Sequence, residues 1–323
     1  MSLDSDVIVD RRRMRRKLTF WRVLAAAVSI AAIAGLASLV SPSGRSLFTN
    51  AGSIARVNIE GLIRNDQQRV EALERLENSR AAAVVVHINS PGGTTSGSEQ
   101  LYNSLMRLKQ KKPMVVVVDG LAASGGYIAA LAADHIVAAQ SSLVGSIGVL
   151  FQYPNFTDLM KTIGVKVEQV KSSPLKAAPN GFEPTSPEAR DALDALVKDS
   201  YAWFRGLVQE RRGMDAEQLE KVSDGRVFTG RQAIDLKLID QLGDEKTAID
   251  WLVVQKNVAK DLPVRDYSLS PRFSDLTFLR TAASALLQAF GLSTLAHDVQ
   301  EAGMTEVLGS DGLLALWQPA AGN

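Results

Sequence analysis

Cysteine is absent from all 323 residues, which removes disulfides, thiolate metal centres and cysteine nucleophiles together. Histidine is scarce as well. Only His87, His135 and His297 occur, and they are too dispersed to suggest metal-ligand spacing, so no cofactor or metal is expected. No sequence repeat of useful length is visible, and charge of either sign is not in excess, because the formal net charge is +1. That balance hides an asymmetry. Residues 1–22 carry seven basic residues, Arg11, Arg12, Arg13, Arg15, Arg16, Lys17 and Arg22, against three acidic ones, which leaves the remainder mildly acidic. A mildly acidic body offers no phosphate-binding surface, so nucleic acid is not expected as a partner.

The basic leader is followed by Val23–Val40, 18 residues without a charge. At helical rise this stretch spans about 27 Å, close to the thickness of a hydrocarbon core. It reads as one membrane span with the basic side retained in the cytoplasm and everything after about Ser41 on the far side. A cleaved secretory signal is the alternative, given the small residues Ala34, Ala37 and Ser38. Residues 41–53 then read as a polar linker.

From Ile54 the pattern alternates between elements. Strands are expected at Ile54–Glu60, Ala82–Ile88, Met114–Asp119, His135–Ala138, near Ser146–Leu150 and at Val165–Val170. Helices are expected at Asp66–Ser79, Thr95–Gln110, Ser124–Ala133 and around Asn155–Ile163. Such alternation predicts an α/β fold with a largely parallel sheet and right-handed crossovers. After Ser186-Pro187, which suit an N-cap and first helical position, the pattern turns helical, with further helices at Asp215–Val222, Gly230–Asp235 and Glu245–Gln255. Apolar stretches at Thr277–Phe290 and Leu313–Trp317 fit no element by pattern alone.

One strand-to-helix turn carries chemistry. Ser124 lies in Leu121-Ala122-Ala123-Ser124-Gly125-Gly126-Tyr127, where small residues permit a tight turn and close approach of a carbonyl, and the following helix directs free N–H groups at the serine. Acyl transfer is the chemistry suggested, although small-residue turns also serve helix–sheet packing alone. A serine hydroxyl needs a base. His87 falls inside a buried strand and His135 at the far end of the intervening helix, so both read as structural. Lysine is then the natural base, provided burial leaves it uncharged. Lys176, flanked by Leu175, Ala177 and Ala178, has an apolar setting that could desolvate it, and the same sequence also fits a solvated loop lysine. The turn Asn89-Ser90-Pro91-Gly92-Gly93-Thr94 could present backbone N–H groups to an oxyanion together with Gly125, or be only a turn.

These segments occur in a telling order. Ile88-Asn89-Ser90-Pro91-Gly92-Gly93, Gly120 through Tyr127, Ala133-Asp134, Gly145-Ser146-Ile147-Gly148-Val149, Lys171–Lys176, Gly225–Gly230 and Leu238–Gly243 resemble, in order and spacing, the short bacterial form of the signal peptide peptidase A family. The resemblance covers roughly Ile54–Trp251. It implies a membrane-anchored Ser/Lys protease on a Clp protease/crotonase-like ββα spiral, with a transmembrane helix, a peptidase domain over residues 54–256 that is helical from about 186, and a C-terminal extension over residues 257–323. By the same resemblance Ser124 is the nucleophile, Lys176 the general base, Ser146 the hydroxyl that orients the lysine, and Gly92, Gly93 and Gly125 the sources of the oxyanion hole. It further implies remnant signal peptides and other apolar peptides as substrates, a ring- or dome-like homo-oligomer in which Ser and Lys can come from adjacent subunits, and a site on the periplasmic side of the inner membrane.

Departures from the family pattern touch the lysine's surroundings. Ser173 and Leu175 stand where a glycine and an aromatic are common, Ala177 where a serine is frequent, and Lys237 replaces a usual glycine. Two other readings compete: an anchored scaffold without catalysis, and a crotonase-type acyl-CoA enzyme, which the extracytoplasmic placement disfavours.

Overall fold

A computed structural model of the chain describes residues 52–269 and 314–316. The leader, the apolar stretch Val23–Val40 and most of the linker lie outside the described residues, as does Thr277–Phe290. Among the described residues no helix is long and apolar enough to cross a membrane.

The centre of the fold is three long parallel strands, β1 (Ser53–Ile63), β2 (Ala81–Thr94) and β3 (Met114–Ala123). Their aliphatic runs are continuous because both faces of the sheet are covered. On β2, Val84, Val86 and Ile88 enter one core, and Ala83 and Val85 enter the other, which is the two-residue period of a strand expressed in packing. The larger core is closed by α1 (Gln67–Glu77) through Leu73 and Leu76, and by α2 (Thr95–Lys111) through Leu101, Leu105 and Leu108. Each such side chain, fully removed from water, stabilises the fold by about 1.5–3 kcal/mol. The smaller core is closed by Ala248 and Leu252 of a helix near the end of the chain.

β3 is shared by two partners in succession. Val115–Val118 pair with β4 (His135–Ala138), and Leu121–Ala123 pair with β5 (Leu143–Gly145). Ser142 fixes the changeover by donating its hydroxyl to the carbonyls of Val118 at 2.9 Å and Asp119 at 3.0 Å. After β3 the chain turns at Ser124 into a short helix, α3 (Gly125–Ala130). Beyond it lie α4 (Thr157–Ile163), α5 (Pro187–Arg212), α6 (Ala216–Val222), β6 (Val227–Thr229), α7 (Gly230–Asp235), β7 (Gln241–Leu242) and α8 (Glu245–Lys256). The expected start of α5 is realised: Ser186 accepts from the Ala189 N–H at 3.1 Å and Pro187 takes the first turn.

The whole is α/β with a mostly parallel mixed sheet. β5–β6 is antiparallel, and so is the pairing of β2 with β9 (Leu314–Leu316). Past Asn257 the described residues of the C-terminal extension add two strands: β8 (Val264–Asp266) pairs with β1, and β9 with β2.

Two strand expectations are corrected. The one near Ser146 forms earlier, as β5, because Leu143–Gly145 has β3 beside it, while Ser146–Val149 form no strand and Leu150 makes only an isolated bridge. Val165–Val170 forms no strand at all, with Val165, Val167 and Val170 exposed. Its alternation suits an edge strand, but among the described residues no strand pairs with it.

Candidate active site

Ser124 ends β3 with φ 53° and ψ −117°, a conformation costly for any residue with a Cβ, by about 1–3 kcal/mol. The surroundings hold it there. Its N–H donates to the Gly145 carbonyl at 2.8 Å, and its carbonyl accepts from the N–H groups of Tyr127 and Ile128 at 2.9 and 3.0 Å. The side chain is buried, and its Oγ has no hydrogen-bond partner. A buried hydroxyl that makes no bond is an expense most proteins avoid.

The helix behind it is fixed from both ends. A Cβ on Gly126 would come within 2.6 Å of the Ser90 carbonyl, so only glycine allows α3 to rest this close to β2. Tyr127, fully buried, donates its hydroxyl to the Leu238 carbonyl at 2.7 Å, and burial pushes the phenol well up from its usual range. At the far end, Arg211 donates to the carbonyls of Leu131 and Ala133 at 2.7 and 2.9 Å.

Ser146 shares the neighbourhood. It is buried, also has positive φ (51°), and follows Gly145, whose carbonyl receives the Ser124 N–H. Its own N–H donates to the Arg226 carbonyl at 2.8 Å. The adjoining ends of β3 and β5 therefore bring Ser124 and Ser146 together.

The glycine turn also borders this region, since Ser90 of β2 pairs with Ala122 of β3, two residues before Ser124. Gly92 has φ 102° and donates its N–H to Ser90 Oγ at 3.1 Å, while Ser90 donates its hydroxyl to the Gly61 carbonyl at 2.7 Å. A Cβ on Gly93 would fall 1.8 Å from the Ile63 carbonyl oxygen. Ser90 is a residue that sequence reading passed over as part of a turn. Its signal was a serine two positions before the first glycine, where a hydroxyl can reach that glycine's N–H.

Lys176 is placed differently. It lies in a turn between Ser173 and Ala178, is exposed, and makes no side-chain hydrogen bond or ion pair among the described residues. Within one chain it does not bond to Ser124. Nearby Lys171 is ion-paired with Glu183, which holds that carboxyl below the usual range. The histidines serve elsewhere: His87 bridges Asp119 at 2.8 Å and Glu245 at 2.7 Å, and His135 stacks on Trp251 at 4.6 Å. Among the described residues no group of His, Asp and Glu side chains could hold a metal ion.

With this geometry in hand, comparison with known proteins is informative. A model of peptidase family S49 matches residues 106–259, and a Clp protease model matches residues 58–142, in keeping with the α/β fold described above. The chain is 36% identical over 200 residues to the putative protease slr0021 of Synechocystis, covering 61% of this chain and 72% of that protein. It is 35% identical over 191 residues to the putative protease MJ0651 of Methanocaldococcus jannaschii, covering 59% and 61%. Over 205 residues it is 30% identical to the putative signal peptide peptidase SppA of Enterococcus faecium, covering 63% and 59%. It thus spans less than two thirds of the length of the last two.

Proposed function

The chain belongs to peptidase family S49, as a serine protease of the signal peptide peptidase A kind with a Clp protease-like fold, and from that premise we propose that Ser124 is the nucleophile and Lys176 its general base. One observation carries the assignment of Ser124: a buried hydroxyl without a partner, on a turn whose strain the surrounding hydrogen bonds sustain. Function explains an expense that folding does not.

The base comes from a second copy of the chain. Ser124 lacks a partner inside its own subunit, and Lys176 lacks one on an arm, residues 151–185, whose large apolar side chains lie open. Covering that arm with a neighbouring subunit removes Lys176 from water, which favours the uncharged form of an amine. Ser146, beside Ser124, is the hydroxyl that orients it.

In the resulting reaction the amine takes the Ser124 proton as Oγ attacks a peptide carbonyl. The developing oxyanion receives N–H groups from the Gly92-Gly93 turn and from Gly125. The Gly92 N–H is already engaged by Ser90, so it is not a free donor in the unliganded chain. Such a donor is worth about 3–4 kcal/mol of barrier. Collapse breaks the C–N bond, the ammonium of Lys176 protonates the leaving amine, and water activated by the same amine hydrolyses the acyl-enzyme.

Val23–Val40 anchors the protease in the membrane, with the catalytic domain on the extracytoplasmic side. Its substrates are apolar peptides there, remnant signal peptides foremost.

Mixing inactive Ser124→Ala and Lys176→Ala chains tests the shared site. Subunit exchange should restore hydrolysis of an apolar fluorogenic peptide, to about a quarter of the wild-type rate if subunits mix randomly. Exchange demonstrated by mass spectrometry without any recovery would place the base within one chain.

A further inference from the structure

The segment Lys171-Ser172-Ser173-Pro174-Leu175-Lys176 begins and ends on a lysine, and the structure gives the two different work. Lys171 is only 16% exposed and is ion-paired with Glu183, twelve residues further on. Lys176 is exposed and has no side-chain partner among the described residues. A charged lysine as covered as Lys171 needs a partner, and the pair it makes closes the intervening chain into a loop. Asn180 completes the closure. Its Nδ2 donates to Glu183 Oε1 at 2.7 Å and to the Ala177 carbonyl at 3.1 Å, while its Oδ1 accepts from the Phe182 N–H at 2.9 Å.

No residue from Phe151 to Glu188 is buried, so packing within the chain cannot hold Lys176 in place. Polar contacts do. The Lys176 N–H donates to the Ser173 carbonyl at 3.1 Å and the Ala178 N–H to the Leu175 carbonyl at 3.2 Å, and between them Ala177 takes φ 57°, a costly conformation for a residue with a Cβ. The Asn180 bond to the Ala177 carbonyl sustains that conformation. The returning segment is rooted in turn on the outgoing one: the Phe156 N–H donates to the Gly181 carbonyl at 2.8 Å, and the hydroxyls of Tyr153 and Thr185 meet at 3.0 Å. We propose that Glu183 and Asn180 are positioning residues for the general base, which with Lys171 clamp the loop so that the Lys176 amine is presented to the partner subunit's Ser124 in one fixed place. The inference rests on the reading of Lys176 as that base. An ion pair open to water adds little to stability, whereas a catalytic group displaced by about 1 Å can lose roughly a hundredfold in rate. The clamp therefore serves aim rather than folding.

The experiment compares the detergent-solubilised full chain with its Glu183→Ala and Asn180→Ala variants on an apolar fluorogenic peptide. Each should lose roughly ten- to a hundredfold in kcat with KM within about twofold of wild type, because the amine acts on the reacting atoms and not on substrate binding. Unfolding temperature and sedimentation velocity should match wild type, which shows fold and assembly intact. Glu183→Gln keeps an oxygen for Asn180 and Lys171 and should recover much of the loss. Lys171→Met combined with Glu183→Ala should cost no more than either alone, as partners in one interaction do. Unchanged kcat in both alanine variants, a loss that comes with dissociated subunits, or a loss that Glu183→Gln leaves undiminished would each overturn the inference. Lys176→Ala separates the two levels: if it is inactive while the clamp variants keep full activity, the base stands without the clamp, whereas a fully active Lys176→Ala removes both.

Discussion

Ser90 holds the glycine turn in place. Its hydroxyl links the Gly61 carbonyl to the Gly92 N–H and so fixes the glycine turn against β1, while its carbonyl lies where Gly126 brings α3 closest. Ser90→Ala leaves the Gly92 N–H buried and unpaired, at a cost of about 1–3 kcal/mol. If the turn supplies oxyanion donors, kcat should fall roughly tenfold or more with KM little changed. Peptide-aldehyde affinity should fall in parallel, which a purely structural loss would not produce. Steady-state kinetics together with aldehyde inhibition constants check this.

At the scale of elements, the end of the sheet is held by charge. Glu245, at the start of α8, receives both Nε and Nη2 of Arg56 at 2.6 Å and contacts His87 at 2.7 Å, tying α8 to β1 and β2. Bonding to Arg56 first and His87 second holds the Glu245 carboxyl below its usual range, against the opposing effect of burial. A carboxyl with a depressed folded pKa contributes stability that is present above its unfolded pKa and is lost as pH falls through the folded one. Glu245→Gln should therefore lower the unfolding temperature at neutral pH, by the equivalent of about 2 kcal/mol. The gap to wild type should close as pH falls through the depressed native pKa, where the native carboxyl is protonated too. Thermal unfolding of both proteins across pH measures it, and a gap that stays constant would refute the linkage.

Elements also show what pattern could reveal. The runs Ala82–Ile88 and Met114–Asp119 foretold β2 and β3 because a strand buried on both faces must be apolar throughout. Ser186-Pro187 foretold α5 because a cap acts on residues three positions away. Val165–Val170 misled for the complementary reason: its alternation is local, but a strand exists only where another strand offers its edge. β9 was silent on the same ground, since three residues become a strand only against β2.

For the whole molecule, the conspicuous feature is an arm without a core. α4 has no buried residue, and Leu159, Ile163, Val170, Leu175 and Phe182 are all exposed, Val170 completely. Apolar exposure on this scale marks a contact surface. If a second copy covers it and receives Lys176 in exchange, Leu159→Asp with Ile163→Asp should convert the assembly to monomers in sedimentation velocity. Peptidase activity should vanish while the monomer's unfolding temperature stays within about 2 °C, because neither side chain packs on its own chain. Monomers that remain fully active would rule out a shared site.

The sequence by itself determined which residues are candidates for the chemistry and where the long strands run: Ser124 between small residues, the glycine turn, and the aliphatic strands that present both. These follow from residue type and local spacing, which the chain specifies directly. Only the tertiary structure decided that Ser124 and Ser146 adjoin while Lys176 points to water in its own subunit, that Ser90 positions the turn, and that a distant apolar triplet lies along Gly92–Thr94. Each of those depends on which edges and faces remain open after the core has closed, and that is settled by residues far apart in the chain.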